Sequence, residues 1–264
     1  MLRRPLRFAL AGALLAPLAA GAGAATAQAP GVSVQLQPDV AGRASSLVVA
    51  ADGRARPVAG RVPSSAVLSV QRGFRVDPRS RAARCSSRQA QDFACPEASR
   101  IGSGQAVVTA RGLLVPGGAQ QFTASIALFI APPVPSADVA GVVVAVSEPS
   151  TGRRATATGR IVRRARGPYG YELRFDRFPA AQPPPPGVEI ELERLDLRVG
   201  ARRTVTVYRT IGSGTSRRRV RRRVVRSLIA NPSACYGSWT ARAALSFPDG
   251  SSLQSDLSTP CRRS

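Results

Sequence analysis

The sequence predicts an all-β fold, an antiparallel β-sandwich of the immunoglobulin-like or jelly-roll-like kind held by two disulfides. About a dozen short segments alternate in hydrophobicity or are rich in β-branched residues, as is typical of strands. Pro and Gly clusters separate these segments, and no helical period is sustained along the chain. The four cysteines favour two disulfides in an exported protein.

The N-terminal residues 1–27 have the pattern of a signal peptide. Three arginines precede an apolar run from Phe8 to about Ala22, which is too short to span a bilayer. We expect cleavage before Gln28, and no later apolar run reaches membrane length. Residues 28–264 are therefore predicted to form a single β-sandwich domain that is secreted, either extracellular or associated with the cell envelope.

The first half of the mature chain predicts strands on both sides of a disulfide-closed loop. Ala83–Pro96 carries Cys85 and Cys95 among polar residues and is predicted to be that loop. The glycines of Gly102–Gly104 predict tight turns before a strand at Gln105–Val115. Alternation or β-branched content predicts further strands at Val32–Leu36, Ser46–Val49, Val67–Val70, Gln121–Ala131 and Val139–Ser147.

The second half contains two departures from simple alternation. The continuous apolar run Val142–Val146 predicts a strand covered on both faces. The apolar residues of Val188–Leu192 and those of Leu195–Val199 have opposite parity, so we expect either a bulge near Glu193-Arg194 or a strand that crosses between sheets. Ordinary strands are predicted at Ala155–Arg164, Tyr169–Phe175 and Thr204–Tyr208.

A basic segment, Arg217–Ile229, fits two patterns. Its apolar residues fall on a helical stripe, but its β-branched content and antiparallel context favour a strand. The segment contains a run of seven arginines, Arg217, Arg218, Arg219, Arg221, Arg222, Arg223 and Arg226. They are candidates for binding the phosphates or acidic sugars of an anionic polymer, although a solvated basic strand explains them as well.

The C-terminal residues predict a hairpin around Pro248-Asp249-Gly250, where Gly250 supplies the left-handed residue of a bulged turn. Alternation from this loop places Trp239 on the inward face, as a core residue rather than a sugar platform with Tyr236. The predicted pairs are Phe247 with Ser251, Leu245 with Leu253, Ala241 with Leu257 and Gly237 with Cys261.

The four cysteines allow three pairings. In the predicted hairpin register, Cys235 lies diagonally across from Cys261, which favours a bond between them. Cys85 would then pair with Cys95. The other two pairings stay open at this level.

The net charge is +23, and it comes from 38 basic residues that are all arginines. Such a charge favours an anionic partner, a nucleic acid or an acidic polysaccharide. The absence of lysine, the single asparagine and the abundance of Ala, Gly and Pro are also typical of a GC-rich genome. Part of the arginine content is therefore compositional.

The residue types exclude several chemistries. With no His and no Lys, neither Ser-His and Cys-His nucleophilic systems nor Ser-Lys dyads nor Schiff bases are possible. The Cys spacings do not fit a zinc site, and we expect no metal and no cofactor. Glu189, Glu191 and Glu193 share one parity and are the carboxylates that a glycosidase would need, but a polar strand face paired with arginine explains them more simply.

Several motifs in the chain resemble a group of secreted, uncharacterised actinobacterial proteins. The motifs are Gly73-Phe74-Arg75, Cys95-Pro96 with Ser99–Gly104, Asn231-Pro232 with Cys235, Gly237 and Trp239, Phe247 with Asp249-Gly250, and Pro260-Cys261. The resemblance covers most of the mature chain. It implies a secreted all-β protein with two disulfide-associated motifs, and it brings no catalytic residue.

These observations predict a secreted, non-enzymatic protein with a structural, adhesion or binding role at the cell surface. Two alternatives belong to other classes. One is a binder of anionic polymers, either an acidic polysaccharide or a nucleic acid, that acts through the arginine run. Its expected partner is such a polymer or a cell-envelope component. The other is a carbohydrate-active hydrolase that uses carboxylates.

Overall fold

The computed structural model describes residues 32–52, 63–112, 115–134, 138–150, 152–176, 187–213 and 217–263. The predicted signal peptide lies outside the described residues. Within them there is no helix long and apolar enough to cross a membrane. The all-β antiparallel fold with two disulfides is confirmed.

Fifteen strands and one short helix make up the regular structure of the described residues. The strands of the first half are β1 (Val32–Gln37), β2 (Ala44–Asp52), β3 (Ser65–Gln71), β4 (Arg75–Val76), β5 (Arg100–Gly112), β6 (Ala119–Ala131) and β7 (Ala140–Glu148). Those of the second half are β8 (Arg153–Arg163), β9 (Tyr169–Phe175), β10 (Val188–Val199), β11 (Arg202–Ile211), β12 (Arg218–Ser227), β13 (Ile229–Ala230), β14 (Ser238–Ser246) and β15 (Ser252–Pro260). The helix α1 spans Ser87–Gln91, and a 3₁₀ turn spans Pro78–Ser80.

Thirteen of the strands form one continuous sheet. Their order is β15-β14-β3-β9-β8-β7-β6-β5-β10-β2-β13-β4, with β1 paired to β2. The layers that face each other across the core therefore belong to a single curved sheet. Within the described part of the chain, β11 and β12 pair with each other alone and form a separate two-stranded sheet.

The curved sheet closes where its first and last strands meet. Strand β1 lies beside β15, and Val40 forms a parallel bridge with Arg262. The N–H of Arg262 donates to the Asp39 carbonyl over 2.8 Å, and its guanidinium binds the Asp39 carboxylate at 2.7 Å. Asn231, fully buried, donates from its side-chain amide to the carbonyls of Pro38 and Val40, both at 2.9 Å. The loop around Asp39 and the C-terminal segment are thus joined by backbone, amide and ion-pair contacts.

One apolar core fills the concave side of the sheet. Trp239 is almost fully buried there, and its indole N–H donates to the Ala234 carbonyl at 3.0 Å. Its ring meets Phe74 edge to face at a centroid distance of 5.7 Å. Burying an aromatic ring of this size contributes a large share of core stabilisation. The prediction that Trp239 packs in the core is confirmed.

A smaller core lies on the outer face of β6 and β7, under the predicted disulfide loop. Val142 belongs to the main core, whereas Val143 packs with Cys85 and Phe129 in the outer cluster. The predicted coverage of this strand on both faces is therefore confirmed at these two residues. The loop is closed by Cys85–Cys95, and it contains α1, which begins with a capping box between Ser86 and Gln89.

The C-terminal hairpin has the predicted register. Ala241 pairs with Leu257 and Leu245 with Leu253. The turn is closed by the Phe247 N–H to the Ser251 carbonyl at 3.0 Å, and Gly250 has a φ of 81°. The predicted pairs of Phe247 with Ser251 and of Gly237 with Cys261 are both present, and the disulfide Cys235–Cys261 follows.

Strands β5 and β10 confirm one sequence prediction, the bulge, and contradict another, the glycine turns. The bulge is confirmed, because the register of β10 against β5 shifts between Leu192 and Arg194. The turns predicted at Gly102–Gly104 are wrong, since both glycines lie inside β5. A Cβ on Gly102 would lie 2.5 Å from the Arg198 carbonyl oxygen, and one on Gly104 would collide with that of Asp196. These glycines allow β10 to approach closely rather than turning the chain.

We expect Asn231→Ala to lower the free energy of unfolding by about 2 kcal/mol, because buried carbonyls of the closing loop lose their donor. Urea unfolding followed by Trp239 fluorescence measures this. Gln254→Ala removes an exposed amide on β15 and should change stability by less than about 0.5 kcal/mol. Equal losses in the two variants would contradict a special role for Asn231.

The Asp39–Arg262 pair predicts an acid dependence of stability. Hydrogen bonds from Arg262 lower the pKa of Asp39 below its usual 3.8. The pair therefore stabilises the fold fully above the unfolded pKa, and this contribution is lost as the pH falls through the folded pKa. Asp39→Asn and Arg262→Gln should each flatten the stability profile below about pH 5. A wild-type slope retained in both variants would refute this.

Candidate functional site

Strands β11 and β12 form a hairpin that stands apart from the main sheet. Ten residue pairs join them, from Arg202 opposite Ser227 to Ile211 opposite Arg218. Most side chains of the hairpin are exposed, and Tyr208 and Val225 are 56% and 61% exposed. We call residues 202–227 the arginine arm. The prediction of a strand for Arg217–Ile229 is confirmed by β12 and β13.

The register divides the arm into two faces, because directly opposed side chains of an antiparallel pair lie on the same face. The first face carries mainly polar and aromatic groups and one exposed valine: Arg202, Thr204, Thr206, Tyr208, Thr210, Arg219, Arg221, Arg223, Val225 and Ser227. The second face has a half-buried apolar centre with arginines around it: Val205, Val207, Val220, Val224, Arg203, Arg209, Arg218, Arg222 and Arg226. Both faces therefore present guanidinium groups.

The arm holds ten arginines and no Asp or Glu. An even spread of the 38 arginines over 264 residues would place about four in a segment of 26 residues. A GC-rich codon habit accounts for arginine throughout the chain, but it does not account for this concentration.

The seven predicted residues lie at different levels of the arm. Arg217 precedes β12, and Arg218, Arg219, Arg221, Arg222 and Arg223 are exposed along it. Arg226 is half-buried at the base and pairs with Asp77 at 3.6 Å. It is the one arm arginine with an ion pair among the described residues. Arg219 also lies over the Tyr208 ring, 4.2 Å from its centroid.

Carboxylates of the main sheet, by contrast, are largely held by neighbouring arginines. Arg242 binds Asp256 at 2.6 Å, and this hydrogen bond lowers the pKa of Asp256. Arg164 binds Glu172 at 2.8 Å, which raises the pKa of the guanidinium. Body arginines are thus partly neutralised, whereas nine of the ten arm arginines have no ion pair among the described residues.

The three glutamates of β10 lie on one strand, and two of them contact side chains of the neighbouring strands. Glu191 binds Arg111 at 3.0 Å, and Glu193 accepts from Thr109 at 2.5 Å and from Gln121 at 2.7 Å. Glu189 is exposed. The bulge after Leu192 moves Glu193 out of the regular alternation. In the described part of the chain, no group of three His, Cys, Asp or Glu side chains is placed to hold a metal ion.

A cleft at the base of the arm was not predicted. It has a volume of about 490 Å³ and is lined by Val205 and Val207 together with Arg79, Arg81, Arg84, Arg203 and Arg226. Arg79 lies within the turn at Pro78–Ser80, and Arg81 and Arg84 follow it, more than a hundred residues before the arm. Nothing in the local sequence indicates that these two segments meet.

We expect the main sheet to fold without the arm. The core residues Ala201 and Leu228 flank it, and the Leu228 N–H donates to the Ala201 carbonyl at 2.8 Å, so the ends of the arm are adjacent. Replacing residues 203–226 by Asn-Gly would join the opposed residues Arg202 and Ser227 through a two-residue turn. Stability should change by about 1 kcal/mol or less, or about 2–4 °C in Tm. A red-shifted Trp239 emission would contradict this.

Comparison of the chain with known protein families, with curated proteins and with solved structures found no match. The resemblance to secreted actinobacterial proteins therefore stays a prediction. We therefore infer the function from the geometry and charge of the arginine arm.

Proposed function

We propose that this protein is an exported, non-enzymatic binding protein that holds an acidic polysaccharide through its arginine arm. The observation that carries the proposal is the arm itself, ten arginines on an exposed hairpin without a carboxylate of its own. This function combines the predicted binding role at the cell surface with the predicted anionic partner.

The geometry of the arm suits an extended ligand. Guanidinium groups point from both faces of a hairpin ten pairs long. At about 3.3 Å per residue, such strands are roughly 30 Å long, which is enough to meet several charges along one polymer. Arginine also binds carboxylate, sulfate and phosphate groups through paired donors, which gives stronger contacts than a single ammonium.

The poor aromatic content of the arm favours a polysaccharide over a nucleic acid. Proteins that bind single strands stack successive bases on aromatic rings. The arm contains one aromatic residue, Tyr208, and Arg219 lies over its ring. An acidic polysaccharide needs charge contacts along a flexible chain and requires no row of rings.

The two disulfides support the proposed export. Both Cys85–Cys95 and Cys235–Cys261 are formed, and the described residues hold no free cysteine. Disulfides persist in oxidising compartments such as the cell envelope and the extracellular space. The signal-like residues 1–27 agree with that compartment.

Heparin binding tests the role of the arm. Replacing Arg217, Arg218, Arg219, Arg221, Arg222 and Arg223 by Ser should weaken binding on the order of 100-fold at 0.15 M salt, because fewer counterions are released. The slope of log K against log salt should become shallower as well. Affinity measured over a series of salt concentrations gives both quantities.

A control variant with the same net charge separates the arm from the overall charge. It replaces six exposed body arginines by Ser: Arg75, Arg88, Arg153, Arg163, Arg166 and Arg263. Heparin affinity should fall far less than in the arm variant. Equal losses would refute the arm as the binding site. Tighter binding of single-stranded DNA than of heparin at matched salt would favour a nucleic-acid partner instead.

A further inference from the structure

The cleft at the base of the arm differs from the outer part of the arm because it is concave and partly apolar. Val205 and Val207 of β11 form one wall, and the opposite side is the segment 79–84. Its volume of about 490 Å³ falls within the range of about 300–1,000 Å³ for small-molecule sites. The outer part of the arm is an open hairpin. The base of the arm is therefore suited to a compact ligand.

Five guanidinium groups line this cleft, and no carboxylate does among the described residues. They are supplied by Arg79, Arg81, Arg84, Arg203 and Arg226. Asp77 compensates only in part, since it forms an ion pair with Arg226 at 3.6 Å. No other carboxylate of the described chain forms an ion pair with these arginines. An excess of about four positive charges in one concavity is repulsive and attracts a multiply charged anion.

Two of these arginines are held partly away from water without a carboxylate hydrogen-bonded to them among the described residues. The buried Nε–H of Arg81 has no hydrogen-bond acceptor among the described residues. Burial lowers the pKa of Arg84, and the charge of Asp77 opposes this shift in part. Among the described residues, the Arg84 guanidinium donates to the neighbouring Ala83 carbonyl at 3.2 Å. Desolvating a charged group costs free energy unless a charged or hydrogen-bonding partner offsets it. An anion in the cleft would supply that partner.

The backbone fixes the two sides of the cleft against each other. The Asp77 N–H donates to the Leu228 carbonyl at 2.9 Å, next to the end of β12. The Asp77 side chain accepts from the Arg79 N–H at 2.9 Å and begins the 3₁₀ turn that leads to Arg81. Leu228 is itself buried in the main core. The guanidinium groups are thus presented by a preorganised frame, which reduces the entropic cost of binding.

We propose that the cleft is a binding site for a compact anion that carries two or more phosphate or sulfate groups. Several arginines can bind the oxygens of such groups in pairs, and the valine wall lowers the local dielectric and strengthens each contact. This inference goes beyond polysaccharide binding, because the cleft residues Arg79, Arg81, Arg84 and Arg203 are not part of the arginine run.

Calorimetric titration of the full chain tests the proposal. The probes are inorganic pyrophosphate and a fully sulfated disaccharide, at ionic strength matched with chloride. We expect saturable binding with one ligand per chain for at least one probe. Tighter binding of pyrophosphate assigns a phosphate ligand, and tighter binding of the disaccharide assigns a sulfated sugar. If neither probe binds saturably, the proposal is overturned.

Single substitutions locate the site. Arg84→Gln and Arg203→Gln should each weaken binding by about tenfold or more, because each removes a charged donor in the cleft. Arg221→Gln removes the same charge from the other face of the arm, opposite Tyr208, and should change affinity by less than about twofold. Equal weakening by Arg221→Gln would overturn the site. If Arg84→Gln unfolds the chain, the exposed Arg203 carries the test.

Asp77→Asn provides a variant that should gain affinity. Its side-chain oxygen can still accept from the Arg79 N–H, but the negative charge beside Arg226 is lost. The affinity for the anion should rise by about threefold or more, and a fall would contradict the proposed electrostatics.

The six-Ser arm variant should lose heparin binding yet retain pyrophosphate binding, so failure of the arm function and failure of the cleft are distinguishable.

Discussion

The closure of the curved sheet is the constraint on which the rest of the structure depends. A long antiparallel sheet has two edges with unpaired backbone groups, and those edges must be paired or covered. Here the loop around Asp39 meets Arg262, and the buried amide of Asn231 supplies donors to two carbonyls of that loop. The disulfide Cys235–Cys261 holds the same region covalently. This junction allows one sheet to enclose a core around Trp239.

The same junction determines where the arm stands. Strand β13 directly precedes Asn231 and joins β2 and β4, so the chain leaves the arm and enters the closure within a few residues. Leu228 contributes its side chain to the core, and its backbone binds Ala201 on one side and Asp77 on the other. A hairpin with little core of its own is therefore held in a fixed position by a rigid base. The same base holds the two sides of the cleft beneath the arm in place.

Most of the fold could be predicted because its signals are local. The hairpin loop at Gly250 fixes the register of β14 and β15, and that register correctly placed Trp239 and Cys235. The parity change in β10 indicated the bulge. Gly102 and Gly104 were misread because glycine serves both turns and close strand approach, and only the neighbouring β10 decides between them. The arginine run was visible in the sequence, whereas the contribution of Arg81 and Arg84 depends on a long-range contact.

The charge of the arm also affects its tendency to pair with other chains. Neither of its edges pairs with another strand of the described residues, and an exposed strand edge invites pairing with another chain. Dense arginine on β12 opposes such pairing through repulsion between like charges, so it also keeps the arm separate from other copies. Arginines on the arm alone would be enough to oppose this pairing. This role does not account for the three arginines on the segment 79–84, which face the same cleft from the other side. That convergence places positive charge where repulsion costs stability, and this cost is the physical reason for proposing an anionic ligand in the cleft.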